Sequence, residues 1–112
     1  MAIAVFIKSR TQPDKRAAVR SVFEQHLAPR ARQNPDQLVV AFCEDSADQD
    51  VFHLFEVYSS PEAMQANGSS QAFLDYMAAV GPLLDGSPVW ATAAPVWVAG
   101  IPLTRGEDVT AS

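Results

Sequence analysis

The apolar positions change their period along the chain, and each change marks a new element. Residues 2–8 read Ala-Ile-Ala-Val-Phe-Ile-Lys, an apolar run rich in β-formers that Thr11, Gln12 and Pro13 punctuate. It predicts a strand. Val19, Val22, Phe23, Leu27 and Ala31 then recur at three- and four-residue spacing, which predicts one apolar stripe on a helix over about 14–33. Arg16, Arg20 and Glu24 fall on another face, with Arg20 and Glu24 spaced for an i,i+4 ion pair. Pro29 inside the pattern removes a backbone donor and should kink or break the helix. Asn34-Pro35-Asp36 ends it. Residues 37–44 and 51–58 predict two more strands, joined by an acidic, hairpin-like loop. Ser59-Ser60-Pro61-Glu62 opens a short helix, either with Ser60 as N-cap and Pro61 in the first turn or through a Ser59–Glu62 capping box. It should stop near Asn67-Gly68, with Gly68 free to take a left-handed cap. Ser69 or Ser70 can cap a further helix on which Phe73, Met77, Val80 and Leu84 share a face, and Gly81-Pro82 should end or bend it. A last strand is expected within 88–98, including Trp90 and Trp97, with Pro95 marking an edge or a bulge. Residues 99–112 lack periodicity and are read as a C-terminal tail.

The predicted order is β-α-β-β-α-β, the split βαβ or ferredoxin-like arrangement of an α+β domain over residues 1–98. Helices on one face of a four-stranded antiparallel sheet leave the other face bare. The third strand is apolar on both sides, with Phe52 and Leu54 on one and Val51, Phe55 and Val57 on the other. A bare apolar face must be covered, and a twin subunit is the simplest cover, so a homodimer through the open sheet face is expected.

Composition narrows the function classes. A length of 112 residues with 48% hydrophobic content suits one domain with one core. The single cysteine, Cys43, excludes an intrachain disulfide and a multi-cysteine zinc site, and is expected to be a small core residue. The apolar start is too short for a signal-peptide core or a membrane span, so the chain is expected to be cytoplasmic, with no membrane partner. Residues 1–32 carry a net +5 and the remainder −10, for −5 in all. That acidic balance disfavours nucleic acid. The basic first helix is expected to be a solvated face pairing with acids elsewhere. The acidic loop at 45–50 lacks the spacing and the glycine of a calcium-binding loop and reads as a solvated turn.

The segment Phe52-His53-Leu54-Phe55-Glu56-Val57-Tyr58-Ser59-Ser60-Pro61-Glu62-Ala63-Met64 resembles the third-strand signature of the antibiotic-biosynthesis-monooxygenase family: an apolar run, Glu, any residue, Trp or Tyr, a turn, then Glu-Ala-Leu. Ser69-Ser70-Gln71-Ala72-Phe73 sits where that family usually has Ser-Pro-His-Phe, and Pro13-Asp14-Lys15 where it usually has Pro-Gly-Lys. The resemblance spans roughly residues 2–98. It implies a dimeric α+β barrel with a pocket in each subunit between helices and sheet. It also implies oxidation of phenols or quinols by O₂ with no metal, flavin or other cofactor. Relatives isomerise small phosphorylated ketones, degrade haem or have no assigned activity, so fold alone does not fix the reaction.

Cofactor-free oxygenation needs a base that helps make an electron-rich phenolate or enolate, and a dry pocket that holds it beside O₂. Three residues are candidates for that chemistry. His26 borders the helical stripe, four residues after Val22, and imidazole exchanges protons near neutral pH. Glu56 and Tyr58 share a strand face with Phe52 and Leu54 by period two. A carboxylate on that apolar face must find a partner or shift its pKa, so Glu56 is either a base or the partner of an arginine. Phe23, Asn67, Phe73 and Trp90 are expected to shape a substrate pocket. Asn67 and Ala72 stand where many relatives have histidines, and Asn67 could equally be a helix cap. His53 falls on the opposite strand face, toward the expected interface. Haem degradation is set aside, because no histidine follows His53 and Met77 should pack in the core. The leading expectation is a cofactor-independent monooxygenase of a small aromatic or quinol-like compound. The alternatives are an isomerase of a small carbonyl compound and a non-enzymatic dimeric small-molecule-binding protein.

Overall fold

The computed structural model describes residues 1–99. The elements are β1 (Ile3–Arg10), α1 (Arg16–His26), α2 (Ala28–Gln33), β2 (Gln37–Glu44), β3 (Val51–Tyr58), α3 (Pro61–Gly68), α4 (Gln71–Val80), a 3₁₀ turn (Gly81–Leu83) and β4 (Val89–Ala93). The strands form one antiparallel sheet in the order β2-β3-β1-β4. This is the ferredoxin-like α+β fold that the sequence predicts.

The helices cover one sheet face. Val5 and Ile7 of β1 and Phe52, Leu54 and Tyr58 of β3 are buried against Val19 of α1 and Tyr76 and Val80 of α4. Phe42 stacks with Phe52 at 5.3 Å between ring centroids and meets Phe23 at 4.8 Å. On the other face the register lines up three complete rows across all four strands: Val39-Val57-Ala4-Ala93, Ala41-Phe55-Phe6-Ala91 and Cys43-His53-Lys8-Val89. Phe6 is 46% exposed and Val89 67%, and Phe6 and Phe55 lie 5.1 Å apart.

Local chemistry accounts for the boundaries. The helical stripe over 14–33 divides at Leu27, two residues before Pro29, because the missing proline N–H leaves a carbonyl of the preceding turn unbonded. Ser60 caps α3 by accepting from Ala63 N at 3.1 Å, and Ser70 caps α4 by accepting from Phe73 N at 3.2 Å. Ser59 turns instead to Asp36, so no capping box forms. Asp14 takes φ +64°, which explains a turn position where glycine is otherwise usual; Asp tolerates that region better than most side chains. The basic face of α1 pairs with acids as expected, Arg16 with Glu44 at 3.2 Å and Arg20 with Glu24 at 2.9 Å.

Four expectations need correction. Gly68 has no left-handed φ, and Ser69 caps α3 with its N–H bonded back into the last turn. Cys43 is exposed rather than in the core, because the register sets it on the uncovered sheet face beside His53. The first strand runs on to Arg10, since pairing with β3 continues to Val51. The last strand ends at Ala93, before Pro95, so Trp97 lies outside it. All but the first residue of the expected tail lies outside the described residues. No helix among them is long and apolar enough to cross a membrane.

Candidate functional site

A cavity opens between the helices and the covered sheet face. Its floor comes from β1, β2, β3 and β4, through Ile7, Ser9, Val40, Phe52, Leu54 and Trp90. Phe23, Leu27, Phe73 and Met77 supply apolar walls from α1, α4 and the residue joining α1 to α2. As it stands the cavity is narrow, with a volume of about 30 Å³. That is room for about two waters, and Trp90 in the lining is half exposed.

One end of this apolar space is polar, and four elements converge on it. Glu56 and Tyr58 point inward by the period-two alternation of β3. Gln37 joins them because a register shift between Gln37 and Val39 turns both Gln37 and Val40 inward. Asn67 comes from the last turn of α3 and Arg30 from α2. Arg30 Nε donates to Asn67 Oδ1 at 2.6 Å, and Asn67 Nδ2 donates to the Tyr58 hydroxyl at 2.8 Å. Tyr58 in turn donates to Glu56 Oε2. Gln37 Nε2 donates both to Glu56 Oε2 at 2.8 Å and to the Tyr58 hydroxyl at 3.1 Å. The result is a relay of donors that ends on one carboxylate oxygen, in which each bond polarises the next.

Burial sets the electrostatics. Glu56 is 8% exposed, and desolvation raises its pKa against the opposing pull of its bonds from Tyr58 and Gln37. Burial, reinforced by the charge of Glu56, pushes the Tyr58 phenol far above its ordinary value. Tyr76 is pushed up to about 12 by burial and then by the charge of Glu56. Both hydrogen bonds to Glu56 fall on Oε2. Oε1 receives none from the described residues, yet it is not sealed from solvent. The Tyr76 hydroxyl is likewise unbonded among the described residues and borders the cavity.

Among the residues singled out from sequence, Glu56, Phe23, Asn67, Phe73 and Trp90 line the cavity, and the Tyr58 hydroxyl lies behind Glu56 and Asn67. His26 is not in the lining, because α1 presents Phe23 there and Leu27 follows, with His26 half-buried on a neighbouring face. Asn67 serves the network through its side chain and does not cap α3 with it. Sequence reasoning missed Gln37, Tyr76 and Ser9. A period-two reading of β1 signals Ser9, which follows Val5 and Ile7 on the buried face. Among the described residues no cluster of three or more His, Cys, Asp or Glu could hold a metal ion.

The profile of the antibiotic biosynthesis monooxygenase family matches residues 2–79. The chain belongs to that family. Solved structures agree. A Mycobacterium tuberculosis protein, Rv0793, is 30% identical, with 89% of this chain and all of that one aligned at a TM-score of 0.79. A candidate antibiotic biosynthesis monooxygenase from Caulobacter crescentus is 28% identical over 86% of this chain and 91% of its own, at 0.81. A Nitrosomonas europaea member at 13% identity reaches the same 0.81 over 88% and 94%, and shows the fold alone. No curated protein matches by sequence. A shared frame does not name a substrate.

Proposed function

We propose that the protein is a cofactor-independent monooxygenase of a small, neutral aromatic or quinol-like compound, with Glu56 as the proton acceptor. One observation carries this reading: a buried carboxylate closes a largely apolar cavity and keeps Oε1 unengaged. Among the described residues the lining holds no Lys, Arg or His, so an anionic substrate such as a phosphorylated ketone would meet no counter-charge from them. That favours an oxygenase of neutral phenols over the isomerase reading.

In this scheme the substrate hydroxyl donates to Glu56 Oε1, and proton transfer makes the ring electron-rich. Burial keeps Glu56 more basic than a surface carboxylate, while Tyr58 and Gln37 hold it in place. The phenolate passes an electron to O₂, and the radical pair closes to a hydroperoxide at a ring carbon. That carbon loses its proton and the O–O bond breaks. One oxygen stays as a quinone carbonyl and the other leaves as water, so a phenol plus O₂ gives a quinone plus water. In this scheme the Tyr76 hydroxyl, which no described residue bonds, steadies developing negative charge. Phe23, Phe73 and Trp90 exclude water, and Asn67 orients Tyr58. His26 has no part in this scheme, since it does not reach the cavity. The open sheet face, with two wholly apolar rows across all four strands, supports a homodimer.

The test is O₂ consumption and quinone formation by metal-free protein across a panel of phenols and quinols. Uptake that falls about 100-fold or more in Glu56→Gln and is unchanged in His26→Ala is expected. Uptake indifferent to Glu56→Gln would remove the carboxylate from the chemistry. Turnover of a carbonyl compound without O₂ would select the isomerase, and tight binding with no turnover a binding protein.

A further inference from the structure

The far end of the cavity holds a second polar group that the scheme above leaves idle. Ser9 is 5% exposed and lines the cavity. Its hydroxyl makes no hydrogen bond with any described residue, and it is not walled off by protein. Valine or alanine would suit a strand face that also carries Val5 and Ile7, yet this position presents a hydroxyl to the cavity. The group is therefore open to a partner that arrives from the cavity.

The register fixes where that partner must reach. Glu56 pairs with Val5 and Ser9 with Phe52, so four residues of strand separate the two polar groups. At about 3.3 Å per residue their backbones stand roughly 13 Å apart. Between them lies the apolar row Leu54-Ile7-Trp90, contributed by β3, β1 and β4 and all part of the lining. Allowing for the Glu56 side chain and a hydrogen bond at each end, a ligand spanning both carries two oxygens roughly 8–10 Å apart. That span exceeds a single ring and matches two or three fused or linked rings.

We infer that the Ser9 hydroxyl is a specificity-determining group for the cavity: it holds the distal oxygen of an elongated, apolar ring compound whose proximal hydroxyl meets Glu56. This rests on the reading of Glu56 as the group that receives a substrate hydroxyl. Ser9 orients the ligand along the strands and selects length. It takes no part in proton or electron transfer, so its loss relaxes selectivity and raises KM for two-ended compounds with little change in kcat.

The test is calorimetric titration of the full chain with 4,4′-dihydroxybiphenyl and with 4-hydroxybiphenyl, which differ only in the distal oxygen. The wild type should bind the diol about 5- to 20-fold more tightly, beyond the roughly twofold that two equivalent ends give by counting. Ser9→Ala should reduce the ratio to about that statistical value while leaving the affinity for the mono-phenol within about twofold. Ser9→Thr, which keeps the hydroxyl, should retain the preference, and unchanged near-UV circular dichroism checks that both variants fold. A diol preference that survives Ser9→Ala, or wild-type affinities that differ by no more than the statistical factor, would overturn the role of Ser9. Either result leaves the Glu56 reading standing provided that mono-phenol binding weakens in Glu56→Gln. Mono-phenol binding indifferent to Glu56→Gln, or no binding of either compound, overturns both.

Discussion

The two faces of β3 carry similar hydrophobicity and opposite fates. On the covered face, Phe52, Leu54, Glu56 and Tyr58 are all buried by the same chain's helices. On the open face, His53, Phe55 and Val57 keep part of their surface and join rows that run to both sheet edges. The polar residues differ in the same sense. Glu56 is desolvated and becomes harder to ionise, whereas His53 Nε2 meets Asp45 Oδ1 at 2.8 Å at the solvent-facing hairpin, where the carboxylate becomes easier to ionise. The covered face gathers polar groups around a cavity. The open face spreads apolar ones into a flat surface. The first geometry suits a small ligand and the second suits another protein surface.

The largest test of that contrast is a charge placed on the open face. Phe55→Asp puts a carboxylate in the central row, between Ala41 and Phe6. In the expected homodimer it would be buried against its own copy, at a cost of several kcal/mol. Sedimentation equilibrium should show the dissociation constant rising by about 100-fold or more, while the far-UV circular dichroism of the monomer stays that of the native fold. A variant that remains dimeric at micromolar concentration would show that the open face is not where the copies meet.

A smaller effect is expected from Asn67→Ala on the covered side. It removes the donor to the Tyr58 hydroxyl and leaves Arg30 Nε without its acceptor. Losing hydrogen bonds among buried groups costs about 1–3 kcal/mol, to be read from urea denaturation with an unchanged m-value. Tyr58 keeps its bonds to Glu56 and Gln37, so the network should loosen rather than collapse, and the ligand-binding consequence should exceed the loss of fold stability.

Much of this contrast is legible in the sequence, and the remainder is hidden for identifiable reasons. Period two in 51–58 places Glu56 and Tyr58 with Phe52 and Leu54, and the shift to helical spacing marks the layers. Pro29 and Ser70 mark element ends by chemistry that acts within a few residues. The polar network is different. Gln37 reaches Glu56 only because of the irregular register at the start of β2, and Arg30 reaches Asn67 across 37 positions of chain. No local pattern encodes such meetings. Cys43 was expected in the core because a strand apolar on both faces does not say which face its own helices cover. His26 was expected at the site because bordering the stripe is one helical step from joining it, and it is Phe23 that reaches the cavity. Ser9 could have been found: a serine in phase with buried Val5 and Ile7 is a polar residue asking for a partner.

The finest test sets the two carboxylates against each other by pH. Glu56 is raised in the folded chain above its ordinary value near 4.5, so the fold holds its proton more tightly than the unfolded chain does. Its contribution is therefore fully present below that value and is lost as pH rises through the folded-state pKa. Glu56→Gln cannot ionise and keeps an acceptor oxygen. The stability of this variant relative to wild type should rise as pH climbs through that window and level off above it. Asp45 works in the other direction. The hydrogen bond from His53, followed by those from the backbone N–H groups of Asp48 and Ala47, holds its carboxyl well below its ordinary 3.8. Its contribution is present above that value and fades as pH falls toward the folded-state pKa. Asp45→Asn should thus lose a little stability at neutral pH, and the deficit should shrink below about pH 4. Because Asp45 is only partly buried, its effect should be the smaller of the two and weaken further with added salt. Urea titrations of the three proteins between pH 3 and 8 would show two difference curves of opposite slope, the one for Asp45→Asn rising toward acid pH and the one for Glu56→Gln rising toward alkaline pH. Curves of the same slope would mean that the two faces of β3 do not differ electrostatically as their burial requires.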